Sequence, residues 1–118
     1  MLYTCVDDFF NHVEEIKKTQ KPLSREEEKE LAQKMKAGDY DAKKALTEAY
    51  LPILASFLKR YTRTPSLSMV YDGVMILETS INTFDFLHNN PSPNVTFVNF
   101  LSNKIRQMMI KYIADGSV

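Results

Sequence analysis

The chain has 118 residues, 44% of them hydrophobic and 25% charged, with fifteen Lys/Arg against fifteen Asp/Glu. This is the length and composition of one globular domain with a single core. It argues against a disordered chain, a strongly basic nucleic-acid binder and, with one cysteine, a disulfide-stapled fold. Cys5 has no internal partner, which suits a reducing cytosol. The charge balance is also local: residues 1–58 carry nine bases and eleven acids, residues 59–118 six and four, so any basic surface belongs to the second half.

In chain order the sequence predicts helices only. Val6, Phe9, Phe10, Val13 and Ile16 recur at three- and four-residue steps over residues 3–18. After Lys-Pro-Leu, Ser24 and Glu27 have capping-box spacing: the hydroxyl accepts the amide three residues on, and the acid reaches back to the cap. Leu31 and Met35 form the apolar edge of this second helix, and Gly38 ends it in the left-handed region. Asp39 caps a third helix carrying Ala42, Ala45, Leu46 and Ala49. Pro52 falls inside it, so a kink or restart is expected near Tyr50 and Leu51. Ile53, Leu54, Phe57, Leu58 and Tyr61 carry the pattern onward to a loop at Thr62–Ser66.

From Leu67 the stripe Val70, Val74, Leu77, Ile81, Phe84 predicts a core helix. Residues 85–94, with two prolines and three asparagines, read as a loop. A last helix runs from near Val95 to Gly116. No alternation suggests a strand and no linker divides the chain. The expected fold is all-α: a compact multi-helix domain over residues 1–118, with 1–21 as N-terminal helix and lead-in.

Motifs for chemistry are missing. The three glycines are isolated, so no phosphate loop is present. His12 and His88 lack neighbours at metal-ligand spacing and read as ordinary surface residues. Glu26, Glu27, Glu28 and Glu30 sit at the positive end of a capped helix, where acids are favoured, and read as a solvated face. Cys5 has no paired base and reads as a small apolar residue. The sequence predicts no enzyme and no cofactor. No apolar run approaches membrane-spanning length and the acidic N-terminus is unlike a signal peptide, so a cytoplasmic protein is expected.

The last helix, FVNFLSNKIRQMMIKY, has two apolar-compatible sides. Val98, Leu101, Ile105, Met108 and Tyr112 form one stripe, taken as buried. Phe97, Phe100, Lys104, Gln107 and Lys111 form another with the same spacing, in which aromatic rings alternate with polar and basic groups. Such a face suits single-stranded nucleic acid, because rings stack on bases and lysines follow phosphates. The plainer reading is that Phe100 packs under the 85–94 loop and the lysines only solubilise.

The order of segments resembles bacterial RNA polymerase sigma factors of the sigma-70 type, from conserved region 1.2 into region 2, over residues 22–114. That family shows a Leu-(Thr/Ser)-x-Glu-Glu-Glu helix, an Ala-Gly-Asp turn and a helix ending in Lys-Lys-Tyr. Here the counterparts are PLSREEEKE, Ala37-Gly38-Asp39 and Lys59-Arg60-Tyr61. Its Glu-Gly pair and later Phe-Asp correspond, at equal separation, to Asp72-Gly73 and Phe84-Asp85. Its promoter-melting helix ends in Ile-Arg-Gln, here Ile105-Arg106-Gln107.

The resemblance implies a domain that binds core RNA polymerase and recognises and melts the minus-ten promoter element. Contacts to a coiled coil of the β′ subunit would fall on Ser68, Tyr71, Asp72, Val74 and Glu78, of which only Asp72 keeps its counterpart's acidity. Packing against neighbouring helices is the alternative reading of that helix. DNA contacts, mainly to the single-stranded non-template strand, would fall on Phe97, Phe100, Asn103, Lys104, Arg106, Gln107 and Lys111. The family also includes members controlled by an anti-sigma protein, a further possible class of partner.

The departures bear on function. Asn103-Lys104 stand where many primary sigma factors have a tryptophan pair, and the loop from Asp85 to Phe97 is longer than the usual Phe-Asp-Pro-Glu-x-Gly-Phe connection. Val118 falls where a linker to a C-terminal helix-turn-helix domain would begin, so the chain is expected to be a piece of a longer factor, or else a free-standing module. Three functions compete: a polymerase-binding and promoter-melting domain, a diverged sigma-like interaction module without DNA recognition, and an unrelated helical module.

Overall fold

The computed structural model describes residues 3–86 and 96–116, and within them the chain forms five helices and no strand. They are α1 (Val6–Thr19), α2 (Arg25–Lys36), α3 (Tyr40–Tyr61), α4 (Leu67–Thr83) and α5 (Phe97–Ala114). The all-α architecture read from periodicity is the observed one. None of these helices is long and apolar enough to cross a membrane.

Local chemistry sets the helix ends. Ser24 Oγ accepts the Glu27 amide at 3.1 Å while Glu27 Oε1 accepts the Ser24 amide at 3.1 Å, which completes the capping box. Gly38 has φ +97°, and around it the Asp39 amide reaches the Lys34 carbonyl and the Gly38 amide that of Met35. This pair of bonds closes α2 through a left-handed residue that a side chain would strain. Asp39, Ser66 and Thr96 cap α3, α4 and α5 by accepting first-turn amides.

Helix α3 is the hub. It packs on each of the other four helices, whereas α2 touches only α3. Leu46, Leu51, Leu54 and Leu58 are fully buried along it. Of the kink or restart expected near Pro52, the restart does not occur: one helix runs from Tyr40 to Tyr61. Interior proline costs a helix about 3 kcal/mol, a loss offset by the burial of Leu51, Leu54, Phe57 and Leu58 in the same and following turns.

Three further expectations change. Cys5 is exposed rather than packed. Glu28 is not part of a solvated face, because it lies half-buried and accepts a hydrogen bond from the Tyr50 hydroxyl of α3. On α5, Val98 is 39% exposed and Phe97 only 1% exposed, the reverse of the expected order. Phe97 and Val98 stand four and three residues before Leu101, so helical spacing fits either. The larger ring takes the inner position, packed at 4.7–5.4 Å between centroids on Tyr50, Phe84 and Phe86. His88 and most of the 85–94 loop lie outside the described residues.

Candidate polymerase and nucleic-acid interface

Two helices carry the candidate residues, and they pack side by side. On α4 the stripe Val70, Val74, Leu77 and Ile81 faces inward. Val74, expected to meet a partner, is 5% exposed and belongs to that core. Ser68 and Asp72 lie on the outward side with Thr79. Between them stands Met75, 67% exposed, which sequence reasoning missed. It lies off the buried stripe by helical spacing, but the surrounding run Val74-Met75-Ile76-Leu77 hides that signal.

Tyr71 and Glu78 are half-buried at the edge of α4 nearer α1. The Tyr71 hydroxyl accepts the Tyr3 amide at 2.9 Å and donates to the Tyr3 carbonyl, so it secures the N-terminal segment. The Tyr3 hydroxyl lies 2.8 Å from His12 Nδ1, and burial pushes its pKa up to about 12. His12 is thus a partly buried packing residue rather than an ordinary surface one. Glu78 lines a groove of about 390 Å³ with His12, Lys43 and Lys44. The candidate docking residues therefore divide between two sides of α4.

On α5 the burial of Phe97 removes one expected stacking ring. Phe100 is half-buried, 5.3 Å from Phe84 between centroids, and Lys104 Nζ stands 5.5 Å from its ring centre. Asn103, Lys104, Gln107 and Lys111 are exposed in steps that keep them on the same side of α5 as Phe100. Arg106 is exposed one residue off that stripe, and its guanidinium donates to Asn103 Oδ1 at 3.2 Å. No acid occurs on α5 before Asp115, its C-cap.

The two faces meet in a groove of about 320 Å³ lined by Asp72, Met75 and Ile76 of α4 and Lys104, Gln107, Met108 and Lys111 of α5. Across its end the Tyr112 hydroxyl donates to Asp72. That bond, followed by burial, pushes the Tyr112 pKa up to about 12. The arrangement offers hydrogen-bond acceptors from α4 and cations beside one aromatic ring from α5.

Comparison with known proteins gives this geometry a family. Residues 14–41 match the sigma-70 factor, region 1.2, a stretch that includes the second part of α1, all of α2 and the start of α3. Over 95 residues the chain is 36% identical to RNA polymerase sigma factor SigA of Clostridium acetobutylicum, which covers 79% of this chain and 24% of that protein. SigA of Listeria monocytogenes and of Listeria innocua are each 34% identical with the same coverage. The chain thus spans about a quarter of the length of these relatives. No solved structure matches. With the region 1.2 segment in place and the likeness running over most of the five-helix fold, the chain belongs to the sigma-70-type family of RNA polymerase sigma factors.

Proposed function

We propose that the chain acts in transcription initiation as a sigma-factor domain, with α4 docking on core RNA polymerase at the β′ coiled coil and α5 meeting the minus-ten element. The observation that carries this reading is the acid-free stripe of half-buried Phe100 and exposed Asn103, Lys104, Gln107 and Lys111 beside the outward face of α4. Single-stranded DNA is held by rings that stack on bases and cations that follow the backbone. Val74 and Phe97 are left out of the contact sets because both are committed to the core. Ser68, Asp72 and Met75 form the docking face, with Tyr71 and Glu78 at its margin.

A second reading, a sigma-like interaction module without DNA recognition, is favoured by one observation. The expected stacking face retains a single ring, and that ring is partly covered by Phe84 and Lys104. The readings separate by measuring association with core polymerase, then binding of the complex to single-stranded minus-ten DNA. Asp72→Arg is expected to weaken polymerase association at least tenfold, about 1.4 kcal/mol, while the thermal midpoint stays close to wild type. Polymerase binding without DNA binding favours the second reading, and absence of both rejects the proposal.

A further inference from the structure

We infer that Tyr112 is a positioning residue for docking: its hydroxyl, presented from α5, holds the Asp72 carboxylate in the orientation in which a cationic group of the partner meets it. The inference rests on the proposed docking role of α4 and adds a residue from the neighbouring helix to it.

The geometry supports this from both ends of the bond. Asp72 is exposed on the outward face of α4, and its Oδ2 accepts from Tyr112, forty positions away in sequence. A carboxylate accepts on both oxygens, with about four lone-pair sites in all, so one phenolic donor leaves most of that capacity open. Lys104 and Lys111 line the same groove, yet neither forms an ion pair with Asp72. The carboxylate is therefore oriented but not neutralised.

Tyr112 suits the task because its ring is half-buried against the core while its hydroxyl reaches outward. A fixed ring presents a donor at a fixed place. A phenol is protonated at neutral pH, and the same hydrogen bond pushes its pKa further up, so it remains a donor. An exposed aspartate otherwise samples several rotamers and loses that freedom on docking; orienting it beforehand removes part of the cost of association.

The test is a double-mutant cycle on association of the full chain with core RNA polymerase. Tyr112→Phe keeps the ring, so the thermal midpoint is expected to stay near wild type while affinity falls roughly three- to tenfold. In an Asp72→Asn background the same substitution is expected to change affinity by less than about twofold. Unchanged or tighter binding by Tyr112→Phe, or an equal loss in both backgrounds, overturns the inference and leaves the docking role of α4 intact. Failure of the wild-type chain to associate overturns the docking role and this inference together.

Discussion

Gly73 of α4 packs so closely on Leu54 of α3 that the space a β-carbon would occupy is already filled by the leucine's methyl groups, Cδ2 lying 2.9 Å from that point and Cδ1 nearer still. Leu54 is fully buried at the hub of the core, so it can admit a methyl group only by shifting among packed neighbours. The Asp72-Gly73 pair therefore sets an exposed acid, which the proposed docking would use, directly beside a bare backbone that helix packing requires. Gly73→Ala is expected to destabilise the fold by about 1–3 kcal/mol through overpacking, read by urea denaturation. With Leu54→Ala added, the combined loss should be smaller than the sum, because the smaller residue makes room for the methyl. Strict additivity would show that the close approach is not the cause.

Glu28 gives a pH-dependent prediction. Burial raises its carboxyl pKa above the usual value, with the Tyr50 hydrogen bond pulling the other way. The native state thus holds this proton longer than the unfolded chain. The contribution is favourable in acid and is lost as pH rises through the raised value. Glu28→Gln keeps an oxygen to accept from Tyr50 and removes the charge. From about pH 4 to pH 7, the thermal midpoint of the variant minus that of wild type is expected to rise with pH. A flat or falling difference would show that the Tyr50 bond, not burial, dominates.

Lys111 tests the electrostatic side of α5. It is exposed at the α4–α5 groove and has no ion pair among the described residues. A phosphate contact carries little base information, so Lys111→Glu should weaken binding to all single-stranded sequences alike. The slope of log affinity against log salt should become shallower by about 0.7 for one lost single-strand contact. Oligonucleotide titrations across a range of salt concentrations measure both. An unchanged slope would reduce the lysine to solubilising surface.

Much of the fold could be read in the sequence because its signals are local. A serine three residues before a glutamate, a glycine closing a helix and an apolar stripe on α4 each act within a turn or two of themselves. The errors arose where a tertiary contact decides. Phe97 and Val98 fit the same helical spacing, and only the cluster of Tyr50, Phe84 and Phe86 selects the ring for the interior. Glu28 looked solvated in a run of acids, because nothing nearby in sequence announces the Tyr50 hydroxyl of the next helix. The candidate site was legible in part for the same reason. Its α5 stripe follows periodicity, whereas the link from Tyr112 to Asp72 joins residues on different helices.

The aromatic residues of α5 provide the last prediction, because two phenylalanines three residues apart have different surroundings. Phe97 is enclosed, so Phe97→Ala should cost about 3–5 kcal/mol of stability. Phe100 is half-buried and bounded on its open side by the Lys104 ammonium. Phe100→Ala should cost clearly less stability, and if its ring meets a base it should also cost roughly 1–3 kcal/mol of affinity for single-stranded minus-ten DNA. The reverse change is Asn103→Trp with Lys104→Trp, both at exposed positions beside that ring. It removes one cation, whose solvent-exposed pairing is worth at most about 1 kcal/mol, and adds two stacking surfaces of about 1–3 kcal/mol each. Tighter binding of single strands is therefore expected despite the lost charge. Calorimetry and oligonucleotide binding on the same variants distinguish the cases. If Phe100→Ala unfolds the chain as readily as Phe97→Ala, and the tryptophan pair adds no affinity, the ring belongs to the core and α5 has no base-stacking face.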